Sequence, residues 1–381
     1  MQLRSNGNPM DTFDKSTSPI DLTVLSRNVS RLSGLLTRDR EALPAAYLKD
    51  PDLRQAYLRY FVPANISKIH LPLRELSLHP KGLLRKDRLK VLDLGSGPGT
   101  ALLGMMEFFS HHDHKPVLDC TALDQVGENL KDAERLFTEW RENTGMDASL
   151  RTLRSGVDRA AARLAGDPFD LIIFSNVLNE LFHGNDERTE VRRNFLLGLL
   201  NQLMDQQGSC IIIEPALRET SREMLEVVCG LPAQTAQFYA PCPASGLCAT
   251  LENARDWQHE EVPWDPPEIV REVDQRIGLR KDALKFSYVV LRKDASSITD
   301  VLGLDAWRVV SEPLISKGKA EFYLCGSEGR RLVVRLDKDW SDLNQDFGGL
   351  QRGAFVGFDG VLDEGKRLKV VKETKVIVKK V

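Results

Sequence analysis

The chain has 381 residues, with 52 Lys and Arg against 55 Asp and Glu, a formal net charge of −3 at pH 7. That length has room for two or three domains. The near-balance excludes a histone-like polycation but not a nucleic-acid binder whose basic residues are segregated. Hydrophobic residues make up 42% and charged residues 28%, enough for sizeable cores and against wholesale disorder. No run approaches the ~18 apolar residues of a membrane helix.

Residues 1–19 lack the apolar core of a secretion signal. Asp11 and Asp14 balance Arg4 and Lys15, unlike an acid-poor transit peptide. They read as a disordered tail. Residues 20–89 read as a basic helical unit, with thirteen Lys or Arg against seven Asp or Glu. There Leu53, Tyr57, Tyr60 and Phe61 recur at helical spacing, and Pro63 is expected to end the run. The basic residues suit a solvated helical face or a phosphate backbone.

Residues 90–300 alternate strands and helices. Strands are expected at Val91–Leu94, Leu118–Leu123, Leu150–Leu153, Phe169–Ser175, Ser209–Ile213 and Lys285–Leu291. Helices are expected at Thr100–Phe109, Glu128–Trp140 and Arg188–Met204, the last with Val191, Phe195, Leu199 and Leu203 on one face. That alternation implies an α/β fold with a mostly parallel, Rossmann-like sheet. Residues 305–381 read as a small β-rich domain. Its runs are Arg308–Val310, Glu321–Leu324, Arg331–Leu336, Ala354–Phe358 and Leu368–Val378, with turns at Gly326-Ser327 and Asp359-Gly360. Five short strands suggest a small barrel, of the oligonucleotide-binding type. The stretch Lys366–Lys380 carries seven Lys or Arg and one Glu.

The strongest chemical signal is Val91-Leu92-Asp93-Leu94-Gly95-Ser96-Gly97-Pro98-Gly99-Thr100. A strand ends, glycines let the backbone approach a ligand, and a helix N-terminus follows. A dinucleotide loop would place its third glycine one residue later. Asp-x-Gly-x-Gly-x-Gly resembles instead the loop of class I S-adenosylmethionine-dependent methyltransferases. Asp93, Gly95, Ser96, Gly97 and Gly99 are then the cofactor-loop candidates. Asp124, ending the second strand, can accept the ribose hydroxyls, and Gln125 is placed at the adenine. Alternatively Asp124 only caps the following helix. Asn176, Asn179 and Glu180 follow the strand at Phe169 and border the ligand crevice. Asn176 and Glu180 are the candidate groups at the methyl-transfer site, with Asn176 also against the cofactor. Enzymes that methylate exocyclic nitrogens usually carry Asn/Asp-Pro-Pro-aromatic here. This chain has Ser175-Asn176-Val177-Leu178, and no general base can be named.

Six cysteines in a chain of this length and type are no disulfide framework. Cys120, Cys210 and Cys229 read as structural thiols. Cys242 and Cys248 lie in a proline-punctuated loop, His259 follows, and Cys325 ends a later strand. Cys242, Cys248, Cys325 and His259 could together hold zinc or an iron–sulfur group.

Taken together, Tyr57-Leu58-Arg59-Tyr60-Phe61-Val62-Pro63-Ala64-Asn65, the glycine loop, Val177-Leu178-Asn179-Glu180-Leu181, Ile213-Glu214-Pro215, Ala240-Pro241-Cys242-Pro243, Asp256-Trp257, Lys285-Phe286-Ser287-Tyr288 and Leu324-Cys325 resemble a known family. It is the methyltransferase-like family of mitochondrial small-ribosomal-subunit assembly factors and its bacterial relatives. The resemblance spans residues 45–330. It implies a class I methyltransferase fold, S-adenosylmethionine as cofactor, and small-subunit ribosomal RNA or the ribosome as partner. Catalysis is optional in an assembly factor. DNA, membrane and a stable oligomer are not expected, and the setting is a bacterial cytoplasm, or the mitochondrial matrix in a eukaryote. A small-molecule methyltransferase fits the basic segments less well. The resemblance also implies four cysteines around an iron–sulfur cluster. Cys242, Cys248 and Cys325 match three of them, whereas Gln258 stands where the fourth thiol is implied. These residues favour zinc or an empty site over an iron–sulfur cluster.

Overall fold

The computed structural model describes residues 21–44, 46–166, 168–242, 248–303 and 305–379. The expected tail at 1–19, the part of the cysteine loop at 243–247 and Lys380 lie outside them.

The larger sheet comprises β1 (Arg88–Leu94), β2 (Val117–Asp124), β3 (Ala148–Arg154), β4 (Phe169–Ser175), β5 (Met204–Pro215), β6 (Gln237–Ala240), β7 (Glu260–Pro263) and β8 (Ala283–Arg292). Its order is β3-β2-β1-β4-β5-β8-β6, with β7 on the other end of β8. The first five strands are parallel, and β8 runs antiparallel to β5, β6 and β7. This is the expected mostly parallel sheet. In register, Asp93 stands beside Ala122 and Leu94 beside Leu123, so β1 and β2 end together. Their carboxyl ends, with those of β4 and β5, form one edge, where open α/β sheets place ligands.

Alternation along β1 sends Leu89 and Val91 to one face and Leu92 and Leu94 to the other. The first face packs against the helices Thr100–Ser110 and Gly127–Thr144 and much of the N-terminal unit. The second packs against the helices Arg188–Leu203 and Arg218–Cys229. On helix Arg188–Leu203 the buried stripe is Arg192, Leu196, Leu199, Leu200 and Leu203. The expected face is therefore shifted by one residue at its start, with Val191 and Phe195 only half-buried. Arg192 is what turns it inward: Nε donates to the Leu181 carbonyl at 2.9 Å, Nη2 to the Asn179 carbonyl at 2.7 Å, and Nη1 to Glu223 at 2.7 Å.

In the N-terminal unit, Pro63 does not end the helical run. Pro51–Ala56 is α-helical, Tyr57–Phe61 is a π-turn, and Val62–Ile66 resumes the helix with Pro63 in its first turn. A proline is tolerated there because first-turn N–H groups need no intrahelical partner. This unit sits tightly on helix Thr100–Ser110. His70 Nε2 meets the Gly104 carbonyl at 2.9 Å. A Cβ on Gly104 would lie 2.1 Å from the Ile66 carbonyl oxygen. Gly104→Ala is therefore expected to destabilise by roughly 1–3 kcal/mol, as overpacking does. Denaturant unfolding checks it, and an unchanged midpoint would mean that the helices do not pack this closely.

The C-terminal part holds β9 (Trp307–Val309), β10 (Leu314–Ser316), β11 (Lys319–Gly326), β12 (Gly329–Leu336), β13 (Phe355–Asp359), β14 (Leu362–Asp363), β15 (Arg367–Val370) and β16 (Lys375–Lys379). The order is β14-β15-β12-β11-β9-β13-β16, with β10 beside β11. It is a curled half-barrel, the expected barrel-like β-rich domain, built from eight strands where five were expected. The expected run at Leu368–Val378 is two strands. β15 pairs parallel with β12 and β16 antiparallel with β13, because the chain turns between them. Thr374 is fully buried in that turn and donates to the Gly360 carbonyl at 2.9 Å.

A buried ionic knot joins the parts of the molecule. Arg308 of β9 donates to Glu75 of the helix His70–Ser77 at 2.5 Å and to Glu260 of β7 at 3.0 Å. Its Nη2 also reaches the Tyr288 hydroxyl at 3.1 Å, and that hydroxyl donates to Glu75 at 2.6 Å. Among the described residues no helix is long and apolar enough to cross a membrane.

Candidate functional site

The β1 strand ends at Leu94 and the chain turns through Gly95 (φ 63°), Gly97 (φ 53°) and Gly99 (φ 80°) into the helix Thr100–Ser110. These left-handed angles explain the glycine spacing. A Cβ on Gly95 would lie 2.3 Å from Val177 Cγ2, whereas a Cβ at Gly97 would meet nothing within 4 Å. The loop is thus pinned on one side and open above its centre. It is also tied to β2: Ser96 N–H donates to the Leu123 carbonyl at 3.0 Å and Gly97 N–H to Asp124 Oδ2 at 2.9 Å. Asp124 Oδ1 accepts from Val126 N–H at 2.8 Å and Asn129 Nδ2 at 3.2 Å. Asp124 therefore both fastens the glycine loop and caps the turn after β2. A carboxylate has about four acceptor positions, so capacity remains for one ribose hydroxyl. Gln125, beside it, is exposed.

Asp93 is the anomaly. It is 1% exposed, and among the described residues neither carboxyl oxygen has a hydrogen-bond partner. Burial, and then the Asp124 carboxylate, push its carboxyl up to about 8. Burial also raises Asp124, against its three hydrogen bonds. A buried carboxyl beside the glycine loop, once ionised, is completed by a cation or strong donors. S-adenosylmethionine brings an ammonium and a sulfonium, so this donor set fits it.

After β4 the chain forms the crevice wall. Asn176 takes the left-handed φ of 58° and donates its N–H to the Ile213 carbonyl at 2.8 Å. A non-glycine residue in that region carries strain, which is often found at functional sites. Asn179 N–H donates to Glu214 at 3.2 Å, and its side-chain amide donates to the same carboxylate. Glu214 is fully buried. Burial raises it to about 7, although the Asn179 bonds oppose that. Glu180 is raised to about 8 by burial and then by Glu214, while Arg40 works the other way. Arg40 comes from the N-terminal unit and donates to Asn179 Oδ1. Tyr47 and Tyr57 also face this region. Burial raises both phenols, and Glu180 and Asp124 add to it.

The thiols meet as well. Cys242 hydrogen bonds with both Cys248 and Cys325, which brings these thiols together at β11. The Cys242 contact and burial push Cys248 up, whereas the same contact holds Cys325 below the usual thiol value. Cys229 Sγ accepts the Cys248 N–H at 3.4 Å. His259 Nε2 lies 3.4 Å from Glu261 and its ring stacks on Trp257 at 5.4 Å. Among the described residues no group of three or more His, Cys, Asp or Glu is arranged to hold a metal ion. Three thiols with Gln258 at the implied fourth position do not fit a four-thiolate cluster.

Residues 54–342 match the family described as "Rsm22: Mitochondrial small ribosomal subunit Rsm22". The chain belongs to the Rsm22 family. Its fold is the methyltransferase-like α/β fold, followed by the curled C-terminal sheet. Among solved structures the chain is similar to a Listeria monocytogenes protein assigned to the class I S-adenosylmethionine-dependent methyltransferases, at 13% identity and TM-score 0.37 over 74% of this chain and 84% of that one. It is also similar to the CurJ carbon methyltransferase, at 18% and 0.35 over 72% and 66%. TrmN from Thermus thermophilus aligns at 18% and 0.33 over 66% and 52%. At such identities and scores the likeness does not extend to substrate or chemistry. No curated protein matches the chain.

The Rsm22 match begins inside the helix Pro51–Ala56 and runs past β12. It therefore covers both the glycine loop and much of the N-terminal cap. Asp93, Gly95, Ser96, Gly97, Gly99, Asp124, Asn176 and Glu180 come together at one sheet edge. Sequence reasoning missed Arg40, Tyr47, Tyr57 and Glu214 as members of that edge. Tyr57 and Glu214 were visible only as motif residues without a role. Arg40 gave no signal, since an arginine in a basic helical unit reads as surface.

Proposed function

We propose that this Rsm22-family chain binds S-adenosylmethionine at the carboxyl edge of β1, β2 and β4 and works on the small ribosomal subunit, with its RNA as substrate or partner. The observation that carries the reading is Asp93, a buried carboxyl without a partner beneath a glycine cradle. When bound, the cofactor supplies an electrophilic methyl on its sulfonium. Gly95, Ser96, Gly97 and Gly99 cradle its methionyl part, and Asp93 receives positive charge. Asp124 accepts a ribose hydroxyl and Gln125 lies at the adenine. Asn176 and Glu180 border the transfer point. Glu180, raised to about 8, holds its proton near neutral pH and becomes a proton acceptor as pH rises through that value. Most of the rate would come from holding the acceptor against the methyl.

A second reading is a catalytically silent assembly factor that uses the cofactor structurally. Ser175-Asn176-Val177-Leu178, in place of a base-gripping Pro-Pro-aromatic segment, favours it. Tritium transfer from labelled cofactor to isolated small-subunit RNA separates the two. Label in the RNA supports the enzyme. Tight cofactor binding with no label under any assembly condition supports the silent factor.

RNA binding is expected to depend steeply on salt. Lys372, Lys375 and Lys379 are exposed in the basic stretch. Deleting that stretch would remove β15 and β16 from the sheet, so substitution is the cleaner test. Lys372→Glu, Lys375→Glu and Lys379→Glu together should flatten the plot of log affinity against log salt. Every phosphate that is no longer neutralised takes ~0.7–0.9 off the slope. An unchanged slope would leave these lysines with the edge-protecting role that charges have on a terminal strand.

A further inference from the structure

Asp93, Asp124, Glu180 and Glu214 surround the crevice, and burial raises all four carboxyls. This arrangement suits the ammonium and sulfonium of S-adenosylmethionine. Being acids, these groups offer no countercharge to the α-carboxylate at the same end of the molecule. A cation suits that group: of the cations whose charge reaches Glu214, Arg192 is taken up by Leu181, Asn179 and Glu223, Lys68 lies deep in the N-terminal unit, and Arg40 comes from outside the α/β sheet.

Arg40 opens the short turn Arg40–Ala42, which follows the helix Leu22–Thr37. Its guanidinium donates to Asn179 Oδ1, and its charge acts on both Glu180 and Glu214. Asn179 is a fixed anchor. Its N–H and amide are held by Glu214, and its carbonyl accepts from Arg192 at 2.7 Å. Among the described residues Arg40 meets no other hydrogen-bond acceptor and no ion-pair partner within 4 Å. Of five donors in the planar fork, one is used, and the side chain is only half-buried. An arginine held by one edge, with free donors at a ligand crevice, is suited to grip a carboxylate in a bidentate pair.

Resting on the cofactor reading above, we propose that Arg40 is the clamp for the α-carboxylate of the bound cofactor. The N-terminal unit then completes the site instead of only flanking it.

The test compares two ligands on the full chain. S-adenosylhomocysteine carries the amino-acid end, and 5′-methylthioadenosine has the same nucleoside and thioether without it. Calorimetry on wild type, Arg40→Ala and Arg40→Lys reads both affinities, with thermal unfolding of the ligand-free proteins as the folding control. Arg40→Ala should weaken S-adenosylhomocysteine roughly ten- to a hundred-fold, as loss of a charge-assisted pair does, and leave methylthioadenosine unchanged. Arg40→Lys should fall between, keeping the charge but not the fork. Equal weakening of both ligands would mean that Arg40 only props the wall through Asn179, and would overturn the clamp. So would an unchanged affinity for S-adenosylhomocysteine. Wild type binding neither ligand would instead overturn the cofactor reading itself, and the clamp with it.

Discussion

Asp93→Asn is expected to stabilise the ligand-free protein at pH 8 and to remove cofactor binding. The carboxyl is ordinarily near 3.8 and stands at about 8 in the folded chain, chiefly through burial and then through Asp124. Between those values the native protein keeps a proton that the unfolded chain has released. The native state therefore binds more protons, and stability falls as pH rises through that window. An amide at this position does not titrate, so the variant escapes the penalty. Its melting temperature should exceed that of wild type by several degrees at pH 8. The difference should shrink towards pH 5 and vanish near pH 4. Ligand binding has the opposite sign. An ammonium requires the ionised carboxylate, so wild-type affinity for S-adenosylhomocysteine should rise towards pH 8, by up to about tenfold per pH unit, and then level off. In the variant the affinity should be at least ~100-fold weaker at pH 8, with little pH dependence, since a charged partner is gone. Melting curves that coincide at pH 5 and pH 8 would show that Asp93 is not held protonated. Undiminished affinity would remove it from the site.

The second large effect is on stability alone. Arg308→Met should cost about 3–5 kcal/mol, because it leaves Glu75 as a buried carboxylate without its cation and leaves Glu260 only Arg352, at 3.7 Å. Burial already raises Glu75, and Arg308 is the first influence opposing that. Without Arg308 the Glu75 carboxyl should rise further above its unfolded value. The destabilisation is then fully present at neutral pH and is relieved as pH falls towards the ordinary carboxylate range, where the unfolded chain is protonated too. Denaturant unfolding at pH 5 and pH 8 reads this. Hydrogen exchange should show protection disappearing first around β9, which Arg308 ties to β7 and to the helix His70–Ser77. A variant within 1 kcal/mol of wild type at pH 8 would mean that water or counter-ions satisfy the knot. Replacing Glu75 and Glu260 as well by apolar residues should recover much of the loss, since a well-packed apolar substitute can match a buried ion pair.

Six of the eight strands of the larger sheet, β1 to β5 and β8, the glycine loop and the acidic end of β2 could be read from the residues alone, whereas the four-residue strands β6 and β7 could not. Phe169-Asp170-Leu171-Ile172-Ile173-Phe174-Ser175 is a strand wherever it is placed, because a short apolar run bounded by polar residues has few other ways to bury itself. Gly95, Gly97 and Gly99 were equally legible, since their left-handed backbone angles admit little else. Each of these signals is local. Distant pairings alone decided the rest. Arg40 lies 139 residues from Asn179, and Arg308 lies 233 residues from Glu75. A charged side chain carries no mark in the sequence that it will be buried, because on its own it belongs in water. Only the partner that the fold delivers makes burial tolerable. The same holds for Arg192, which rotated its helix by reaching two carbonyls, and for Pro63, which a π-turn carried into a helix start. It holds too for Cys242 and Cys325, whose meeting depends on how β11 lies against the loop after β6. Residue type and spacing thus determined where the glycine loop stands, and the tertiary structure decided which charges are brought beside it.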